Sequence, residues 1–367
     1  MGASEIRLGE AALSRLVEDL LRAAGADPTS TAGTTRALIE ASARGQDTHG
    51  VRLLPYYLRC LEGGRAKRAP TIRFTQTGPA TGMVDADNGL GHAPSYLAVE
   101  RASALARVAG IGAVAVTNSS HYGAAGVYAL AAARDGLVAF SFTHADALVV
   151  PHGGRKPFLG TNPIAFACPV DGNQPLVLDM ATSAIPFNRI FLRQAQGQSL
   201  PPEVATDAEG VPTTDPAAAK AVMPVGGAEF GYKGAGLAVM IDLLCAGLTG
   251  MVHGYKMPSF LQTDFTTPIP IGHFFLVIDP DRFDAPGGFA ERAKALVEDM
   301  RDQPARPGMK VMPPGDPELG HAAERLRAGI PIDPVTWKAF ADYAERFGVE
   351  LPAAFAARAA TTAKVAT

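Results

Sequence analysis

Gly110-Ile111-Gly112-Ala113-Val114-Ala115-Val116-Thr117-Asn118 runs directly into Ser119-Ser120-His121-Tyr122-Gly123-Ala124-Ala125-Gly126. The first half is an apolar run that ends in polar residues, which predicts a buried strand whose end reaches a site. The second half is a polar turn followed by small residues, which predicts a helix over 122–134. Exposed N–H groups at a helix start attract anions such as a pyrophosphate, and small residues let a ligand approach the backbone. An ordinary capped helix with close packing accounts for the same residues equally well. No G-x-G-x-x-G follows a strand with an acidic residue about twenty positions on, so an ordinary Rossmann unit is not expected. A P-loop and a G-x-S-x-G elbow are absent as well.

Working outward, apolar spacing predicts helices over 10–24, 30–44, 53–61, 92–109, 234–248, 290–301 and 334–347. Strand, turn and strand are expected over 72–84, and further strands over 137–143, 163–168, 175–180 and 274–278. Strands and helices alternate, so the class is α/β or mixed α+β. The stretch 353–367 is rich in Ala and Thr and reads as a flexible tail.

The 367 residues suffice for a large core and suggest two or so domains. Hydrophobic content of 47% with 19% charged residues marks an ordered globular chain. The net charge of −3 offers no basic excess for nucleic acid or an anionic membrane. Cys60, Cys168 and Cys245 are odd in number and far apart, which argues against a disulfide framework or a zinc site and for buried thiols in a reducing cytosol. No basic region followed by an apolar run opens the chain, so no signal peptide and a cytoplasmic location are expected. The most apolar helix candidate, 234–250, contains Asp242 and is short for a bilayer span. No metal-ligand spacing joins His92, His144, His152, His253, His273 and His321.

Three further clusters carry candidate chemistry. Asp47-Thr48-His49-Gly50 is followed by Arg52 and Pro55-Tyr56-Tyr57. An imidazole passes protons near neutral pH, a hydroxyl and Asp47 can orient it, and an arginine can hold a carboxylate through two hydrogen bonds. Gly160-Thr161-Asn162-Pro163 and Leu178-Asp179-Met180-Ala181-Thr182-Ser183 end apolar runs, where α/β proteins place ligand contacts and where turns and caps also occur. Gly231-Tyr232-Lys233-Gly234-Ala235-Gly236 opens a predicted helix, and Lys233 there can meet a phosphate or a subunit contact.

Taken in order, D-T-H-G, N-S-S-H-Y-G-A-A, G-T-N-P-I-A, D-M-A-T-S, G-Y-K-G-A-G-L, G-H-F-F and P-P-G-D resemble the malate/L-lactate dehydrogenase family, which is separate from the Rossmann-type enzymes. These motifs run from Asp47 to Asp316, most of the chain. The resemblance implies a homodimeric NAD(P)H-dependent oxidoreductase with a non-Rossmann cofactor-binding sheet and a helical N-terminal part. It implies a helical substrate and dimer-contact part in 1–116 plus 302–352, and a cofactor domain in 117–301. His49 matches the proton donor, Thr48 its assisting hydroxyl, and Thr161 a substrate-side position. His121, Tyr122, Gly123, Ala124 and Ala125 match cofactor contacts. So do Asp179, Met180, Ala181, Lys233 and Gly234, and Pro314, Gly315 and Asp316. The substrate class implied is a 2-oxo or 2-hydroxy acid. Reduction of cyclic or N-alkyl imino acids is the alternative, and an inactive cofactor-binding protein is a third reading.

Three departures bear on the substrate. The family's carboxylate-binding arginine stands four residues after the histidine; here that position is Leu53, and Arg52 precedes it. One residue turns a side chain by about 100° on a helix. The position ten after Asp179 is lysine or acidic in relatives and is Arg189 here, a candidate carboxylate clamp that cannot act as a base. The loop Thr143-His144-Ala145-Asp146 carries a histidine where a small polar residue is common.

Overall fold

The computed structural model describes residues 6–260 and 262–352, so the tail expected over 353–367 lies outside the described residues. The chain opens with β1 (Ile6–Leu8), α1 (Glu10–Ala23) and α2 (Pro28–Ala43). Leu13, Leu16, Val17, Leu20 and Leu21 recur at helical spacing along α1, and all five are buried. Asp27 starts α2 by accepting the Ser30 N–H at 3.0 Å, with Pro28 in the first turn. Two 3-10 turns, Asp47–His49 and Val51–Leu53, precede α3 (Leu54–Gly63). Gly50 separates them in a non-helical conformation, and the Val51 N–H donates to Ser42 Oγ at 2.9 Å.

Next come β2 (Arg73–Gly78), β3 (Thr81–Asp85), α4 (His92–Ala109), β4 (Ile111–Ser119), α5 (Gly126–Arg134) and β5 (Val138–Thr143). β6 (Ile164–Cys168), β7 (Leu176–Met180), α6 (Asn188–Ala195), β8 (Ala205–Thr206) and β9 (Ala221–Val222) follow. α7 (Gly227–Asp242) runs on into a π turn at Leu243–Gly247. The last elements are β10 (Ile271–Ile278), α8 (Gly288–Arg301), α9 (Asp316–Ala328), β11 (Ile330–Ile332) and α10 (Pro334–Phe347).

Seven strands form one sheet in the order β2-β3-β4-β10-β5-β6-β7. Only β3 and β4 run parallel; every other neighbour is antiparallel. The sheet is therefore mixed, and no doubly wound parallel unit is present among the described residues. β10 inserts between β4 and β5, so Phe275 faces Val114 on one side and Ser141 on the other. Phe275 is fully buried, which stabilises the fold by about 1.5–3 kcal/mol. α4 and α5 cover one face through Val114, Val116, Tyr128, Leu130 and Val277. The opposite face meets α7 and its π turn through Phe142, Ile241 and Cys245.

The expected boundary at 116/117 falls inside β4, and β2 and β3 on its N-terminal side belong to the same sheet. The helical part has its own core, in which α1, α3 and α10 pack with Leu54, Leu58, Trp337 and Phe340. β1 pairs antiparallel with β11, joining the two ends of the described chain. The three cysteines are buried and unpaired.

Three expectations need correction. α5 begins at Gly126, not 122, because Gly123 adopts φ +76° and Tyr122 turns into the core, stacked on His273 at 4.4 Å. α7 begins at Gly227, seven residues before the expected start, so Lys233 lies within the helix and does not open it. Counted to Gly247, this helix is long and apolar enough to cross a membrane by length and composition, and only 33% of that window is buried. α9 has no expected counterpart, because Arg325 is its one buried residue and no apolar stripe announces it.

Candidate active site

The turn Asp47–His49, the Ser120–Gly126 loop, the ends of β5, β6 and β7, and Met257, Phe260, Ile269 and Ile271 enclose a cavity of about 290 Å³. His49 enters it half-buried, with Nδ1 2.9 Å from Thr48 Oγ1. Burial lowers the His49 pKa below its ordinary 6.5, so the imidazole is neutral at pH 7. Asp47 does not orient this ring. Its carboxylate is held in a two-pronged pair by Arg325, with Nη2 2.9 Å from Oδ2, and Arg325 is only 8% exposed. The pair fixes the turn that carries His49, since Arg325 also donates to the Ser42 carbonyl at the end of α2.

His121 lies beside His49, with ring centroids 6.0 Å apart. Its Nδ1 faces two donors, the Tyr57 hydroxyl at 2.7 Å and the Gly123 N–H at 3.3 Å. The Gly123 N–H can only donate, so Nδ1 accepts and the ring proton sits on Nε2. Burial, then the neighbouring His49, His92 and His273, hold His121 well below the ordinary histidine value and keep it neutral.

Asp179 comes from the end of β7. Its Oδ2 accepts the Gly126 N–H at 2.8 Å and Gln46 Nε2 at 3.0 Å. Burial still raises its pKa, against these two hydrogen bonds. A Cβ on Gly126 would stand 2.9 Å from the same oxygen, so glycine is required for this approach. The Thr161 carbonyl accepts both the N–H and the hydroxyl of Thr182, at 2.9 and 3.0 Å, locking the β6 and β7 ends together.

The remaining wall is apolar, with Leu148, Met257, Phe260, Ile269 and Ile271. Asp146 accepts the Phe260 N–H at 2.9 Å and ties the 257–260 segment across the cavity. The Phe260 ring packs tilted against Tyr56 and His121, with centroids 4.2 and 5.1 Å away. His144 also lines the wall; Nε2 donates to the Val252 carbonyl at 3.0 Å, and burial lowers its pKa.

The cavity thus gathers Thr48, His49, His121, Gly123, Ala124, Ala125, Thr161, Asp179, Met180 and Ala181. The other expected residues lie elsewhere. Tyr122 is core, its hydroxyl 3.2 Å from Ser141 Oγ. Arg52 is exposed, and its charge acts on Asp333, the cap of α10. Arg189 is exposed in the first turn of α6, just beyond the lining residues Pro186, Phe187 and Asn188. Lys233 is exposed, with its ammonium 5.3 Å from the Phe230 ring. Gly234 is buried so closely on Val225 that a Cβ would come 2.5 Å from its backbone nitrogen. Pro314 and Asp316 line a second cavity, and Gly315 turns at φ +89° against β7 beside it. Gln46 and Phe260 were not foreseen. Gln46 carries no pattern of its own, and Phe260 arrives from a distant segment without periodicity.

The lining suits a dinucleotide. No acceptor among the described residues meets the N–H groups of Ala124 and Ala125, which stand before α5 where a helix start draws anions. The small side chains of 123–126 leave their backbone open to a close ligand.

A profile of the malate/L-lactate dehydrogenase family matches residues 9–341. The (2R)-3-sulfolactate dehydrogenase (NADP(+)) of Chromohalobacter salexigens is 40% identical over 285 residues, 77% of this chain and 83% of that one. The Delta(1)-pyrroline-2-carboxylate/Delta(1)-piperideine-2-carboxylate reductase of Pseudomonas putida is 37% identical over 260 residues, 70% of this chain and 74% of that one. The solved malate dehydrogenase of Pyrococcus horikoshii superposes with a TM-score of 0.85 at 30% identity, covering 95% of this chain and 97% of that one. The protein belongs to the malate/L-lactate dehydrogenase family.

Proposed function

We propose that this NAD(P)-dependent oxidoreductase interconverts a 2-oxo acid and its 2-hydroxy acid, with His49 as the proton-transfer group. The observation that carries this reading is His49, tied to Thr48 and neutral, in one cavity with the open N–H groups before α5. Gly123, Ala124, Ala125 and Asp179 to Ala181 would hold the nicotinamide end of the cofactor, which when bound supplies or takes up the hydride. In reduction, His49 gives its proton to the carbonyl oxygen as the carbon becomes CH–OH. In oxidation, the neutral imidazole takes that proton back. Thr48 orients the ring, and Phe260, drawn across by Asp146, keeps water from the reacting carbon. We assign Arg189 to the substrate carboxylate, a reading supported by its position next to the lining residue Asn188.

A second reading, reduction of a cyclic imino acid, is favoured by one observation. The described lining holds Asp146 and Asp179 but no lysine or arginine, and a protonated C=N group suits such a wall. Oxidation of NADH and NADPH by the purified protein, with 2-oxo acids and cyclic imino acids side by side, separates the two. Turnover of neither class with either cofactor would sink both.

We also propose a cytoplasmic homodimer built on the outer face of α7. Phe230, Leu237, Val239, Met240 and Leu243 are all more than a third exposed on this one helix, an apolar stripe that a second copy would cover. Leu243→Glu is expected to give a monomer in sedimentation equilibrium; an unchanged mass would refute this contact.

A further inference from the structure

The stretch 252–260 has one 3-10 turn, Gly254–Lys256, as its sole regular structure, yet it brings Met257 and Phe260 into the wall of the His49 cavity. A segment without a core of its own keeps its place only through ties to rigid neighbours. Asp146 holds the far end through the Phe260 N–H. Asp242, the last residue of α7, holds the near end. Its Oδ1 accepts the Gly254 N–H at 3.2 Å, and its Oδ2 accepts from His253 Nδ1. A carboxylate oxygen accepts, so Nδ1 is a protonated ring nitrogen of His253. The Asp242 side chain is only 15% exposed, so both bonds are largely shielded from water. His144 adds a third tie at this end, donating to the Val252 carbonyl.

Gly254 lies directly on the cavity wall. A Cβ there would collide with the carbonyl of the lining residue Ala145, so only glycine lets the two backbones meet. Ala145 is itself tied to α7. Its N–H donates to Asn162 Oδ1 at 3.0 Å, and Asn162 Nδ2 donates to the Ala238 carbonyl at 2.8 Å. α7 therefore reaches the cavity by two routes, from Ala238 through Asn162 and from Asp242 through His253 and Gly254. Just past Asp242 the helix widens into its π turn, a rare geometry that recurs at functional sites. Neither Asp242 nor His253 lines the cavity, so whatever they do for the reaction passes through the segment they hold.

We propose that Asp242 and His253 are a positioning pair that keeps 252–260 closed on the cavity, so that Met257 and Phe260 complete the wall around the substrate. The inference rests on the oxidoreductase reading. Without the pair the segment spends part of its time off the wall, and apparent substrate affinity falls in proportion to the closed fraction. Turnover at saturating substrate is kept, because His49 and Thr48 sit on a separate turn fixed by Arg325. Loss of fold stability alone has a different signature: it lowers the amount of active enzyme and leaves KM unchanged.

Steady-state kinetics of Asp242→Ala and His253→Ala test it, with pyruvate, oxaloacetate or piperideine-2-carboxylate as substrate, whichever the wild type reduces. KM for that substrate is expected to rise about tenfold in Asp242→Ala while kcat stays within about twofold. The double variant should rise no further, because the two residues act as one unit. Asp242→Asn, which keeps an oxygen for the Gly254 N–H, is expected to recover part of the loss. His253 is half-exposed, so its replacement keeps the test open even where Asp242→Ala does not fold. Hydrogen exchange read by mass spectrometry should show the amides of 252–260 exchanging faster in both variants, with those of α4 unchanged. Unmoved KM in both single variants, or a fall in kcat alone, overturns the inference. A wild type that reduces none of the three substrates overturns the functional reading instead, and unchanged exchange over 252–260 then overturns the pair's hold on the segment.

Discussion

The two cavities at the opposite ends of β7 are built from opposite materials. The one around His49 carries no lysine or arginine among its described lining residues, and its titratable groups are neutral imidazoles and carboxylates of raised pKa. The one around Arg44 carries three guanidiniums and no histidine. Proton transfer needs groups that change charge state near neutral pH, and a permanent cation beside them would hold a histidine neutral too strongly. The separation keeps the permanent charges of the one cavity away from the imidazoles of the other.

The sharpest way to break this division is His49→Ala. Turnover is expected to fall by about 10²–10⁴-fold while ADP-ribose affinity stays at the wild-type value. Steady-state kinetics beside calorimetry read both, and a parallel loss of affinity would show that His49 also holds the cofactor. Asp47→Ala removes two charge-assisted hydrogen bonds to Arg325, costing about 1.5–3 kcal/mol in denaturant unfolding, toward the lower end because Asp47 is half exposed. The pH profile of that variant should keep its shape, since Asp47 does not touch the imidazole; a shifted profile would return Asp47 to the proton path. Thr48→Val is expected to lower turnover about tenfold by loss of the 2.9 Å contact to His49, and Thr48→Ser to restore it.

The pH dependence follows from the sign of the His49 shift. Its pKa lies below 6.5, so the neutral form that oxidation needs is already dominant at pH 7, and oxidation declines only as pH falls through the lowered value. Reduction needs the protonated form and weakens as pH rises through that same value. An oxidation rate that keeps climbing above pH 8 would place the titrating group elsewhere. Lys233→Ala marks the small end. The ammonium lies exposed against Phe230, on the helix proposed for the dimer contact and outside both cavities, so turnover per subunit should change less than about twofold.

The legible part of this molecule consists of segments whose local pattern and tertiary role agree. The helix over 92–109 and that over 334–347 lie where apolar spacing puts them, because each buries the stripe it displays. The strand at 111–119 ends at the cavity, as its apolar-to-polar change implies. His49 with Thr48 and the small residues after His121 were visible as candidates because those residue types have few uses at a turn or a helix start, and the fold brings them into one cavity. Arg52 and Arg189 were read as candidate substrate clamps from charge and spacing; both stand outside the cavity wall, Arg52 beside Asp333 and Arg189 next to the lining residue Asn188. Helical spacing does not say that Gly50 interrupts the turn or that Arg189 is exposed while its neighbours Asn188 and Ile190 face the cavity and the core.

By itself, the sequence determined the α/β class and the family, and it singled out His49 and the small residues after His121 as candidates, because those depend on residue type and short-range spacing. Tertiary structure alone decided that the sheet is antiparallel around an inserted β10, that Arg325 takes Asp47 away from His49, and that Arg44 is buried facing Glu40, Glu318 and Asp179 in a wall shared by α2, α8 and α9. Each of these joins residues far apart in the chain, and whether a buried charge is satisfied depends on the surroundings that folding brings to it.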